Sequence, residues 1–179
     1  DGLIVEGGEG GGFKSPRPVS TMVLLPAVAA AVDVPIIAAG GFLDGPTMAA
    51  GLALGAEGVQ LGTVMVSCAE SPVHQAWKDA IIEADESGTV LLNTHSSPAL
   101  RALRTQRTEA LEFDHERNAM ASFGSVLDVY FGGDLEAGIA LSGQVAGRIV
   151  ESRPVAEIIA DCAEGCLGTL AALAGRYLH

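Results

Sequence analysis

The sequence predicts an α/β fold built from βαβ units on a parallel sheet. Short apolar runs at residues 2–6, 36–39 and 58–62 each lead into glycine, and helix-length segments separate them. That alternation is the signature of parallel rather than antiparallel pairing. Composition agrees: 49% of residues are hydrophobic but only 4% aromatic, and 23 are glycine, which suits helices packed closely on a buried sheet.

The elements follow in order. Gly2-Leu3-Ile4-Val5-Glu6 is the first strand, and it feeds the loop Gly7-Gly8-Glu9-Gly10-Gly11-Gly12. Ser20-Thr21 caps a helix over 22–32, in which Pro26 is tolerable only in the first turns. Asp33-Val34-Pro35 leads into the second strand, which ends in Gly40-Gly41. Asp44 caps a helix with Pro46 near its first position and Gly55 at its end. The third strand, 58–62, runs into Gly62-Thr63.

Beyond Thr63 the pattern changes. Ser71-Pro72 opens a helix to about Ala84, and Thr89–Asn93 is a weak strand. Pro98 to about Leu111 reads as a helix with Arg101, Arg104 and Arg107 on one stripe, either a solvated face or a contact for an acidic cofactor tail or substrate. Residues 114–132 are irregular. Leu135–Glu151 reads as a helix with Gly138, Gly143 and Gly147 embedded, there for close packing or ligand approach. Pro154 starts a last helix, 155–178. The chain therefore divides into a strand-rich part at 1–66, a mainly helical insert at 67–125 and closing helices at 126–179.

Composition also excludes classes of function. A formal charge of −12 repels nucleic acid and anionic membrane surfaces. No apolar run reaches the about 18–20 residues of a membrane span. Cys68, Cys162 and Cys166 make no metal motif; an odd count and no signal peptide favour a reducing cytoplasm. Cys162 and Cys166 share a helix face as small core residues. His74, His95, His115 and His179 have no metal-ligand spacing.

The strongest functional signal is the pair of glycine-ended strands. Glycine at a parallel strand's C-terminal end lets backbone N–H groups approach an anion. Two such ends side by side make a phosphate cradle, placed after strands 7 and 8 in a β/α barrel.

Together these pieces resemble the FMN-dependent nitronate monooxygenase family, also called 2-nitropropane dioxygenase-like, which includes flavin-dependent enoyl reductases. The matching blocks are Val5 to Gly12, Thr21-Met22-Val23-Leu24-Leu25-Pro26, Ile36 to Gly41, and Ala53 to Thr63, with weaker matches through Glu70 to His74, Ala99-Leu100-Arg101, and Gly138 to Gly147. The resemblance implies the C-terminal part of a (β/α)8 TIM barrel with a helical insert. It implies FMN bound by Glu6, Gly11, Gly40, Gly41, Gln60, Leu61, Gly62 and Thr63. The chain opens at Asp1 inside a strand, so the N-terminal half of the barrel is an expected partner, as a second chain or a cleaved segment.

One departure from the family bears on chemistry. Where the family has a Gln at the strand end and a catalytic His closing the loop, this chain has Glu6 and Phe13, and Gly10 stands in place of Ala. Phe cannot move a proton. Glu6 and Glu9 are then the nearest catalytic candidates, with Glu6 also suited to hydrogen-bond the ribityl chain; Lys14 or Arg17 could meet an acidic substrate such as a CoA thioester. The resemblance implies oxidation of a nitronate-type small molecule through flavin N5. The alternative is an NAD(P)H-dependent reductase or dehydrogenase acting on a CoA- or carrier-linked substrate, and a further one is a non-catalytic flavin-binding subunit.

Overall fold

In the computed structural model, which describes residues 1–178, two three-stranded sheets share one chain. The first is parallel, with strands β1 (Leu3–Glu6), β3 (Ile36–Ala39) and β4 (Gly58–Gln60) in the order β1-β3-β4. Leu3 pairs with Ile36 and Glu6 with Ala39; on the other side Ala39 pairs with Gln60, so the strands end level. Helices α1 (Thr21–Ala29) and α2 (Gly45–Ala53) make the two crossovers. Val5, Leu25, Ile36, Ala38, Phe42 and Ala56 form the core between sheet and helices.

The local chemistry explains these elements. Asp44 accepts the Thr47 amide at 3.0 Å while Thr47 Oγ1 accepts the Asp44 amide at 3.0 Å, a reciprocal cap beside Pro46 in the first turn. Pro26 lies inside α1, which ends at Ala29 rather than at 32.

The second sheet corrects the sequence reading. It is antiparallel, ordered β2-β6-β5, with β2 at Gly12–Lys14, β5 at Thr89–Leu92 and β6 at Ala99–Leu103. Residues 99–103 are thus the central strand of a sheet, not part of a helix, and only Gln106–Glu112 is helical (α5). The insert expected to be mainly helical carries helix α4 (Gln75–Ile82), α5 and this strand pair. Every residue of β6 is buried, so its apolar run fits helix and buried strand alike, and pairing to distant segments decided. No arginine stripe forms.

Leu135–Glu151 is also not a helix. It is extended chain with one 3₁₀ turn, Gln144–Arg148. The glycines mark close backbone approaches: a Cβ at Gly143 would stand 2.8 Å from the Glu9 carbonyl oxygen, and one at Gly147 2.4 Å from that of Asp85. The glycines' packing role was read correctly and their helix was not.

Between them run a short helix α3 (Thr63–Val66), a π-helical turn at Asp128–Gly132 and the last helix α6 (Val155–Tyr177). Ile158, Cys162 and Cys166 of α6 are buried, and α6 packs on α2, where Gly45 meets Gly165 with a would-be Cβ 2.5 Å from its Cα. A membrane-length apolar helix was not expected, yet α6 has the length and a mean hydropathy of 1.4 over 18 residues. Leu167, Leu170 and Leu173 on it are exposed.

Candidate cofactor-binding site

All three parallel strands end at one cleft. Glu6, Glu9, Gly10 and Gly11 line it from the first loop, Gly40, Gly41 and Phe42 from the second, and Gln60, Gly62 and Thr63 from the third. Seven of the eight residues expected to hold cofactor therefore converge: Glu6, Gly11, Gly40, Gly41, Gln60, Gly62 and Thr63. Leu61 does not; its side chain packs into the core. Gly143, for which ligand approach was one of the two readings, and Val145, which was not foreseen, complete the wall from an extended segment where a helix was expected. A roomier pocket of about 220 Å³ lies between α6 and the Arg148 turn, lined by Leu43, Asp44 and Val64 just beyond the second and third strand ends.

The loop conformations follow from the residues. Gly40 and Gly41 have φ of +82° and +89°, the left-handed region that side chains disfavour. A Cβ on Gly40 would lie 3.0 Å from both the Gly10 nitrogen and the Gly7 carbonyl oxygen, so two glycine loops interlock there. Gly62 differs: a Cβ on it would meet nothing within 4 Å. Gly41, Phe42, Gly62 and Thr63 donate no backbone hydrogen bond among the described residues, whereas Thr63 Oγ1 accepts the Gly143 amide at 2.8 Å. Free amides around an open strand end can bind an anionic group such as a phosphate.

The glycine loop is held from both sides. Glu9 accepts the Thr21 amide at the start of α1, at 3.0 and 3.1 Å, so it supplies the cap that Ser20 does not. Its main-chain oxygen accepts the Gln144 amide at 2.9 Å. Arg101 is buried, with Nε donating to the Gly8 carbonyl at 2.7 Å and a terminal nitrogen to Thr89 Oγ1 at 3.3 Å. Burial pulls the Arg101 guanidinium below its ordinary value, and the Glu9 carboxylate opposes that pull. Arg104 pairs with Glu112 and Glu109, and Arg107 bonds the Glu136 and Ser122 carbonyls. Thus the three arginines take separate structural tasks.

Phe13 is 57% exposed on β2, while the next residue, Lys14, turns inward to Glu6 at 2.7 Å. Arg17 is exposed. His74 caps α4 by accepting the Ala76 amide, His95 and His115 face each other at 3.4 Å on the surface, and His179 lies outside the described residues. Among the described residues no cluster of three His, Cys, Asp or Glu could hold a metal. The three cysteines are free and buried, and burial pushes the Cys162 thiol up.

A family model, described as nitronate monooxygenase, matches residues 1–165. The chain belongs to the nitronate monooxygenase family. Among curated members of similar sequence, a (3aS,4S,5R,7aS)-5-hydroxy-7a-methyl-1-oxo-octahydro-1H-indene-4-carboxyl-CoA dehydrogenase of Mycobacterium tuberculosis is 44% identical over 115 residues, 63% of this chain and 32% of that one. A probable nitronate monooxygenase of Staphylococcus aureus is 34% identical over 119 residues, 62% of this chain and 34% of that one. The chain therefore spans about a third of the length of these relatives.

Solved structures extend the match. FabK from Thermotoga maritima superposes with a TM-score of 0.91 at 39% identity, covering 98% of this chain and 57% of that one. Nitroalkane oxidase from Streptomyces ansochromogenes superposes with a TM-score of 0.76 at 25% identity, covering 97% and 53%. These nitronate monooxygenase-like neighbours are TIM-barrel enzymes, and this chain is a partial barrel of the same kind. The expected fold class is therefore correct, although the insert is only part helical.

Proposed function

We propose that this chain forms the cofactor-phosphate side of an FMN-dependent oxidoreductase whose substrate is linked to CoA or a carrier. The observation that carries it is the convergence of unpartnered amides at Gly41, Phe42, Gly62 and Thr63 on one cleft walled by Gly11 and Gly143. Those donors fit a phosphomonoester without needing a lysine or arginine at the strand ends. Bound FMN would supply hydride acceptance at N5, and the chain's residues would hold and orient it.

Phe13 favours the CoA-linked reading over nitronate oxidation. A phenyl ring cannot abstract the α-proton of a neutral nitroalkane, and the M. tuberculosis relative named as a CoA dehydrogenase is 44% identical against 34% for the one named as a nitronate monooxygenase. A preformed nitronate anion needs no such proton transfer, so nitronate oxidation stands as the second reading.

Completion of the barrel by its N-terminal half belongs to the same proposal. The outer edges of β1 and β4 pair with nothing among the described residues, and Leu3, Ile4, Met22 and Val23 are exposed beside β1. A cytoplasmic setting fits three buried free thiols.

The test is spectroscopic. The full-length protein should purify yellow, with flavin absorbance near about 450 nm. Anaerobic bleaching by a hydroxyacyl-CoA supports the leading reading; bleaching only by nitronate supports the second. NADH-driven bleaching would identify a reductase, while flavin that nothing bleaches would leave a binding subunit. Protein free of flavin would overturn all of these.

A further inference from the structure

The cleft holds two carboxylates, and they are not equivalent. Glu9 is committed to the Thr21 amide at 3.0 and 3.1 Å. Glu6, the last residue of β1, points one oxygen at Lys14: Oε2 accepts from Nζ at 2.7 Å. The lysine is spent on this task, since Nζ also donates to the carbonyls of Gly11 at 3.0 Å and Phe13 at 3.1 Å, three acceptors for its three protons. Its side chain is 5% exposed, whereas that of Glu6 is 42% exposed at the cleft. A buried ammonium thus sits beneath an accessible carboxylate.

The other oxygen, Glu6 Oε1, accepts no hydrogen bond from the described residues. It lies against Gly10, where a Cβ would stand 2.1 Å away. Glycine at position 10 is therefore the space that the carboxylate occupies, and alanine there would force it out. Position 13 offers no proton chemistry. Among the groups lining the cleft, Glu6 alone is ionisable, accessible and uncommitted on one oxygen.

We propose that Glu6 is the proton acceptor of this site, with Lys14 as the positioning residue that holds its carboxylate in place and Gly10 as the space that admits it. This rests on the FMN-dependent dehydrogenase reading above. The O–H bond of a substrate hydroxyl breaks and its proton joins Glu6 Oε1. The adjacent C–H bond gives up its hydrogen and electron pair as hydride, which oxidised FMN accepts, and a C=O bond forms.

The full-length, FMN-loaded protein tests this through Glu6→Gln, Lys14→Gln, Lys14→Arg and Gly10→Ala. Glu6→Gln should keep its flavin yet slow anaerobic flavin reduction about 100-fold or more. Lys14→Gln should slow reduction about tenfold, because the carboxylate loses the donor that fixes its place, and Lys14→Arg should restore most of the rate. Gly10→Ala should resemble Glu6→Gln more than wild type. Without substrate, the absorbance spectrum of bound flavin should differ between wild type and Glu6→Gln, since a carboxylate beside the flavin is replaced by a neutral amide.

A wild-type reduction rate in Glu6→Gln, with flavin bound, would overturn the proposal and leave the FMN reading standing. Failure of wild-type protein to bind flavin would overturn both. Should Lys14→Gln not fold, Glu6→Gln, isosteric at an accessible carboxylate, still decides.

Discussion

Glu9 closes on Thr21 and joins the first strand's loop to the first helix. Its two oxygens accept the Thr21 amide at 3.1 and 3.0 Å, and Thr21 Oγ1 lies 2.8 Å from Glu9 Oε2 and 2.7 Å from the Gly40 carbonyl oxygen. The hydroxyl has one proton, so it donates to one of these at a time. Through this residue the glycine loop, α1 and the second strand end are tied together. Glu9→Ala should cost about 1–3 kcal/mol by leaving the Thr21 amide without its acceptor, measured by urea unfolding of the full-length protein. Glu9→Gln, which keeps a carbonyl acceptor, should cost less, and both should weaken flavin binding.

Gly40 and Gly62 should separate folding from binding. Gly40→Ala places a side chain at φ +82° and 3.0 Å from two backbone atoms, a strain of about 1–3 kcal/mol that should lower the thermal midpoint. Gly62→Ala meets open space at φ −107°, so its stability should change by less than about 0.5 kcal/mol. Flavin titration should nonetheless show at least about tenfold weaker binding for Gly62→Ala, about 1.4 kcal/mol or more, since the added methyl fills the cradle. Equal flavin affinity in Gly62→Ala and wild type would remove phosphate from this strand end.

Arg101→Met should loosen the loop from its far side. The Gly8 carbonyl loses a donor at 2.7 Å while the aliphatic bulk under it remains. A cost of about 1–3 kcal/mol is expected, with faster amide hydrogen exchange over residues 7–12 than over β3. Uniform acceleration across both segments would contradict a local clamp.

Asp44 sets an acid dependence. Burial pushes its carboxyl up, but the Thr47 amide and hydroxyl and the Arg148 guanidinium outweigh that and hold it below its ordinary value. A depressed folded-state value means the stabilisation is present above the unfolded range of about 3.9 and fades as pH falls through the folded value. Asp44→Asn keeps the cap and removes the charge. It should lower stability at neutral pH by up to about 1 kcal/mol, and the gap from wild type should close as pH falls through the depressed folded value. A gap constant with pH would mean that the charge contributes nothing.

Much of the parallel layer was legible in the chain because its signals are local. The cap at Asp44-Gly45-Pro46-Thr47, the glycines after Ala39 and Gln60, and the shared face of Cys162 and Cys166 are read within a few residues of each other. The insert was not legible for the opposite reason. Arg101 belongs to a strand because Gly12, 89 positions earlier, and Leu91 pair with it on its two sides, and no spacing near Arg101 carries that information. The run around Gly143 failed similarly: its glycines did signal close approach, but the partners were the carbonyl of Glu9 and the amide of Gly11 rather than a helix neighbour.

By itself the sequence determined the βαβ order, the glycine-ended strands, and a phenyl side chain, Phe13, where the family resemblance expects a histidine. Only the tertiary structure decided which charges the cleft keeps. It folds Lys14 under Glu6 through the β2–β6 pairing, commits Glu9 to α1, and buries Arg101 against the loop. The physical reason is that turn and strand preferences act over a few residues. A carboxylate's freedom, by contrast, depends on which distant donors the packed chain brings within about 3 Å.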